Sequence, residues 1–194
     1  MLLLIDNYDS FTYNLFHMVA GREFEVEVIR NDVQSAAQLL DLNPQAIMLS
    51  PGPGRPSGAG VCLEILEKIA DDIPVLGVCL GHQAIVEACG GELFIDDTPK
   101  HGKSSVVQFD ESATIFGGVN QPLEVGRYHS LIANEQLPAE LRKAAWLDDG
   151  TIMAIEHVSK PWFGLQFHPE SILSPQGQTL IDNFLDVTKQ NTKN

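Results

Sequence analysis

Ile73-Pro74-Val75-Leu76-Gly77-Val78-Cys79-Leu80-Gly81-His82-Gln83 is the stretch around which the chain is organised. Its first six residues are an apolar run of strand length. The residues that follow, Ala84-Ile85-Val86-Glu87-Ala88-Cys89, have a helical pattern stopped by Gly90-Gly91. Cys79 therefore falls on a sharp strand-to-helix turn with a glycine two residues away on each side. The logic is that of the Gly-x-Ser-x-Gly nucleophile elbow with sulfur in place of oxygen. Glycines there permit a tight backbone and leave room for substrate over the sulfur. The helix that starts beyond Cys79 turns free N–H groups and a positive dipole end towards it, which favours thiolate. The competing reading, a buried structural cysteine at a strand end, loses ground only if Cys79 has a partner elsewhere.

Working outward, the residues before the elbow alternate between strand and helix patterns. Residues 1–5 are an apolar strand, and residues 6–10 a polar loop in which Asp9 or Ser10 caps a helix bearing Phe11, Leu15, Phe16 and Val19. Residues 24–29 alternate as a strand, 34–42 form a short helix, and 46–49 form a strand. The last runs into Ser50-Pro51-Gly52-Pro53-Gly54-Arg55-Pro56, a stiff loop. Residues 61–70 read as a helix. This β-α alternation with short connections predicts an α/β fold: an open, mostly parallel sheet flanked by helices, flavodoxin-like, with functional groups at the carboxyl ends of the strands. After Gly91 the pattern changes to strands at 104–109, 123–128, 144–147, 151–156 and 163–167. They complete the sheet and give a small antiparallel edge. A closing helix spans 176–188, and the polar tail 189–194 is expected to fray. No linker or repeat divides the chain, so residues 1–194 are expected to form a single domain.

The partner for Cys79 lies in Gln166-Phe167-His168-Pro169-Glu170-Ser171, an apolar strand ending in His-Pro-Glu. Residues two apart in extended chain share a face, so His168 and Glu170 point the same way. A carboxylate beside an imidazole fixes its tautomer and stabilises its charged form, as in a nucleophile–base–orienter triad. Acyl chemistry also needs donors for a developing oxyanion. The N–H of Leu80 is one candidate and that of Gly52 another, since Pro53 has none.

Composition narrows the function classes. The chain has 194 residues and a net charge of −14. That balance argues against a phosphate-binding surface for nucleic acid or an anionic membrane. The opening apolar run lacks a basic flank and the length of a signal peptide, and no run is long enough to span a membrane. Cys62, Cys79 and Cys89 follow no disulfide framework, so reduced thiols and a cytoplasmic location are expected. Cys79-x-x-His82 has a metal-like spacing but no second ligand pair, and no metal or cofactor is expected. Cys62 and Cys89 lie on apolar helical faces and read as small core residues. His129 reads as an internal hydrogen-bonding group.

Together, Ser50-Pro51-Gly52-Pro53-Gly54, the Cys79 elbow and the His168-Pro169-Glu170 segment resemble, in order and spacing, the signatures of the class I, triad-type glutamine amidotransferases. The resemblance covers essentially the whole chain. It implies that Cys79 attacks the side-chain amide of glutamine, that His168 is acid and base, and that Glu170 orients it. It implies an oxyanion hole from Gly52 and Leu80, and a glutamine site lined by Gly52, Pro53, Gly54, Gln83 and the backbone of Ser130 and Leu131. Asp6-Asn7-Tyr8-Asp9-Ser10-Phe11-Thr12-Tyr13-Asn14, His101-Gly102-Lys103 and Arg127-Tyr128-His129-Ser130-Leu131 are similar to the small subunits of chorismate enzymes, component II of anthranilate or aminodeoxychorismate synthase. The phrasing of residues 82–88 and 125–130 leans towards the first. The chain ends soon after its closing helix, so a separate chorismate-binding component I is expected to receive the ammonia. Loops 7–11, 56–60 and 101–103 are candidates for the docking rim. Two other readings are a stand-alone γ-glutamyl hydrolase and a regulatory subunit with a vestigial site.

Overall fold

A computed structural model describes residues 1–96, 99 and 101–191. The two most uniformly apolar runs become central strands. β1 (Leu2–Asp6) and β3 (Ala46–Leu49) are buried along their whole length, as a parallel strand covered on both faces must be. β2 (Val26–Arg30) and β3 flank β1, and β4 (Val75–Val78) pairs with β3, all parallel. β11 (Trp162–Leu165) then pairs parallel to β4. The order β2-β1-β3-β4-β11 reproduces the 2-1-3-4-5 pattern of an open doubly wound sheet.

The antiparallel part is broader than a marginal edge. β10 (Ile152–His157), β9 (Leu141–Trp146), β6 (Lys103–Phe109) and β7 (Leu123–Arg127) extend the sheet beyond β11 to nine strands among the described residues. One core layer holds Leu2, Leu4, Leu15 and Met48 with Phe163, Leu180 and Phe184 from the closing helix side. The other holds Leu3, Ile5, Ile47 and Leu49 under Ile65, Ala84, Ile85 and Val86. No helix among the described residues is long and apolar enough to cross a membrane.

Several local expectations are corrected. α1 (Thr12–Val19) has no side-chain cap at its boundary residue. Asp9 accepts the N–H of Phe11, one residue before the helix, while Asp6 accepts the N–H of Tyr8 and the hydroxyl of Thr12. Asp6 thus organises the loop, and Ser10 is no cap. α2 (Ala36–Leu40) is shorter than its pattern: a capping box of Ser35 and Gln38 sets its start, and the chain leaves the helix at Asp41, ahead of Asn43 at φ 51°. α3 (Cys62–Lys68) and α4 (Leu80–Ala88) lie where expected. α5 (Gly177–Asn191) runs through residues 189–191, where fraying was expected; its partly buried face extends to Thr188, and Lys189 reaches back to Glu23. Residues 192–194 lie outside the described residues. Two short strands, β5 (Leu93–Ile95) and β8 (Leu131–Ala133), escaped the sequence reading and form a separate antiparallel pair.

Candidate active site

The elbow forms for a steric reason. A Cβ on Gly77 would lie 2.3 Å from the backbone of Gly81, and one on Gly81 would lie 2.3 Å from the carbonyl oxygen of Leu49. Only glycines let α4 start this close to β4 and β3. The space they vacate is filled by the protein's own backbone, so the expectation that they make room for substrate is corrected. Cys79 between them adopts φ 52°, ψ −99°, a conformation side-chain-bearing residues rarely take. It is held by its N–H to Leu165 O at 2.8 Å and by Gln83 N–H to its own carbonyl at 3.0 Å. Cys79 is 8% exposed, at the N-terminus of α4, where the first-turn N–H groups, that of Leu80 first, lack partners within the helix.

β11 lies directly beside β4, and its continuation brings His168 to the elbow. The His168 backbone bridges to Gly126 of β7, and Ser174 Oγ donates to its carbonyl at 2.6 Å. Nδ1 of His168 is 2.6 Å from Oε1 of Glu170, whose side chain is fully buried. That leaves Nε2 as the nitrogen for the sulfur of Cys79, to which His168 is also hydrogen-bonded. Burial pulls the imidazole down, but the hydrogen bonds to Cys79 and Glu170 and their negative charges outweigh it and raise His168 to about 10. His168 is thus held as imidazolium, with a proton on Nε2 for the sulfur side. Phe11 and Tyr128 pack against the imidazole at 5.5 and 4.8 Å between ring centres, and fix its plane.

Gly52, Pro53, Gly54, Cys79, Gln83, Ser130 and Leu131 surround one cavity of about 220 Å³, with His101, Tyr128 and His129. Leu80, the remaining residue of the expected set, lies beneath it. A Cβ on Gly52 would sit 2.8 Å from the Leu80 side chain and 2.5 Å from Asn7 Cβ. His101, expected on a docking rim, contributes to this wall. His129 is the internal group expected of it and also part of the wall. Arg127 Nε donates to its Nε2 at 3.2 Å, so Nδ1 carries the proton and donates to Leu131 O at 3.1 Å. Burial, and then the charge of Arg127, hold His129 down to about 4. Asp96 in turn pairs with Arg127 at 3.3 Å. This buried chain fixes the Ser130–Leu131 backbone.

Two groups had no role at the site in the sequence reading, and Asn7, placed there on a docking rim, is buried instead. Asn7 supports the Gly52 loop: its N–H donates to Ser50 Oγ and its Nδ2 to Ser50 O, both at 2.8 Å. Its Oδ1 accepts from Asn31 at 2.8 Å and from the Cys62 thiol at 3.1 Å. Burial pushes that thiol up to about 12, so Cys62 is an inert core group with one polar contact. Gln166, fully buried, reaches Cys79 Sγ with its side-chain amide.

The family model of the class-I glutamine amidotransferases matches residues 3–187. The chain belongs to the class-I glutamine amidotransferases. Curated relatives of this amidotransferase include "Anthranilate synthase component 2" of Pseudomonas aeruginosa, 48% identical over 95% of this chain and 94% of that protein. "Aminodeoxychorismate synthase component 2" of Escherichia coli is 45% identical over 95% of this chain and 99% of its own. "Aminodeoxychorismate/anthranilate synthase component 2" of Bacillus subtilis is 43% identical over 98% of each. The amidotransferase is thus an enzyme subunit resembling anthranilate synthase component 2, as the sequence reading expected. Among solved structures, a putative GMP synthase protein from Thermoplasma acidophilum superposes with a TM-score of 0.88 over 99% of this chain and 95% of that one, at 22% identity. At that identity the likeness shows the fold, and it bears out the expected flanked, mostly parallel sheet.

Proposed function

We propose that residues 1–194 act as one glutamine amidotransferase domain, hydrolysing glutamine and delivering ammonia to a chorismate-binding component 1. Cys79 Sγ attacks the amide carbon of glutamine. The N–H groups of Gly52 and Leu80 bind the oxyanion of the tetrahedral intermediate. His168 gives its Nε2 proton to the leaving nitrogen, and ammonia departs. The γ-glutamyl thioester on Cys79 is then attacked by water, which loses a proton to His168. Collapse expels the Cys79 sulfur, releases glutamate and leaves His168 carrying its Nε2 proton again. Glu170 keeps Nδ1 protonated and the ring in place. Gly52, Pro53, Gly54, Gln83, Ser130 and Leu131 hold the amino-acid end of the substrate.

The observation that carries this reading is His168 standing between the strained Cys79 and the buried Glu170. It needs no metal or cofactor. The relatives' names, each a component 2, favour a heteromeric enzyme; we place it in the cytoplasm on its reduced thiols, and the product class is anthranilate for tryptophan synthesis. The second reading, 4-amino-4-deoxychorismate for folate synthesis, is favoured by the Escherichia coli relative and by the dual name of the Bacillus subtilis one. The test supplies chorismate and glutamine to the chain with its cognate component 1. Anthranilate as product supports the first reading, 4-amino-4-deoxychorismate the second. Glutamine hydrolysis by the free chain with no chorismate product in any complex refutes both.

A further inference from the structure

Gln166 sits at the carboxyl end of β11 with its backbone N–H on Met153 O at 2.9 Å, and its side chain is sealed from solvent. Its amide lies between two groups of the site. Gln83 Nε2 is 3.2 Å from Leu131 O and 3.2 Å from Gln166 Oε1, while Gln166 Nε2 is 3.8 Å from Cys79 Sγ.

The direction of this chain follows from Leu131. A backbone carbonyl only accepts, so the Gln83 atom facing it is the amide nitrogen. That nitrogen also faces Gln166, so it meets the oxygen of Gln166. The nitrogen of Gln166 then points at the sulfur. The donors that join Gln83, Gln166 and Cys79 run towards the sulfur, while Gln83 Nε2 also donates to Leu131 O, and Gln83 itself lines the cavity.

We infer that Gln166 is a thiolate-binding residue, and that with Gln83 it forms a relay from the amino-acid end of the pocket to the nucleophile. The inference rests on Cys79 being the nucleophile of the proposed reaction. A sulfur anion in a dry site is stabilised by an N–H aimed at it, and aligned amides polarise one another. An ammonium donating to Gln83 strengthens its N–H towards Gln166, and that of Gln166 towards sulfur. Substrate binding thereby sharpens the nucleophile through groups that touch neither the scissile amide nor His168.

The test is the pH profile of Cys79 alkylation by iodoacetamide in the full chain, with the Cys79-containing peptide quantified by mass spectrometry so that Cys62 and Cys89 do not contribute. Gln166→Met keeps the volume and removes the donor. Gln166→Glu keeps the shape and sets a carboxylate beside the sulfur. The midpoint is expected to rise by about one pH unit in Gln166→Met, roughly a tenfold loss of thiolate on the acid side, and by more in Gln166→Glu. Gln83→Leu, which leaves Gln166 but removes the group that orients it, moves the midpoint the same way by less. A purely structural role would lower the melting temperature and leave the midpoint in place. Unmoved midpoints in variants that melt cooperatively overturn the inference. If these midpoints stay put while the wild-type complex hydrolyses glutamine, only the relay fails. If the wild-type complex does not hydrolyse glutamine, the amidotransferase mechanism fails whatever the alkylation profile.

Discussion

His82 gives the fold an acid sensitivity whose size follows from its surroundings. It is fully buried on α4 beside Gly164, and neither ring nitrogen makes a hydrogen bond of good geometry among the described residues, the Gly164 backbone offsetting the burial only in part. Burial, and then the nearby His129, hold it down to about 3. In the unfolded chain the same ring titrates near its ordinary value of about 6.5. The unfolded state therefore binds a proton that the folded state refuses, and stability falls as pH drops below that value. Between pH 7 and 5.5 the linkage amounts to about 1 kcal/mol, insensitive to the folded value because that lies far below the interval. His82→Leu removes the titration at similar volume. Urea unfolding of wild type and variant at both pH values reads the effect. The wild type is expected to lose about 1 kcal/mol more than the variant across the interval. Equal losses would mean that the folded ring takes up a proton at pH 5.5, and the buried, weakly partnered description of His82 would be wrong.

Asn7→Ala leaves the backbone N–H to Ser50 Oγ in place but removes the Nδ2 donor to Ser50 O and the Oδ1 acceptor of Asn31 and Cys62, so glutamine-dependent kcat should fall by roughly tenfold with KM little changed; an equal fall with ammonium salts as nitrogen source would assign the loss to misfolding. His168→Ala should lower kcat by on the order of 10³. Glu170→Ala should lower it less, because Glu170 orients a proton carrier without carrying the proton itself, and steady-state kinetics giving equal losses would remove that distinction.

The alternating first half was legible because strands of buried parallel sheet are short apolar runs and each is followed by a helix with its own period. β5 and β8 were not, since three residues carry no period and their pairing of Leu93 with Ala133 is a long-range match. The extra turn of α5 was hidden because the last turns of a surface helix look polar, and docking rather than propensity holds them. At the site, the meeting of Cys79, His168 and Glu170 was readable because a nucleophile–base–orienter set dictates residue types at fixed local spacing. Asn7 was not: its function is set by contacts to Asn31, Ser50 and Cys62, which only the fold brings together. Gln166 looked like one more strand residue, because the sequence does not say which neighbour a buried amide will face.

The most direct measurement follows product formation from chorismate by the complex of Cys79→Ser with its component 1, supplied in parallel with glutamine and with an ammonium salt. Glutamine-driven synthesis should disappear and ammonium-driven synthesis should continue at the wild-type rate. Glutamine-driven synthesis that persists, or loss of both activities in a correctly assembled complex, would contradict the assignment of Cys79 as the nucleophile that supplies ammonia to a separate active site.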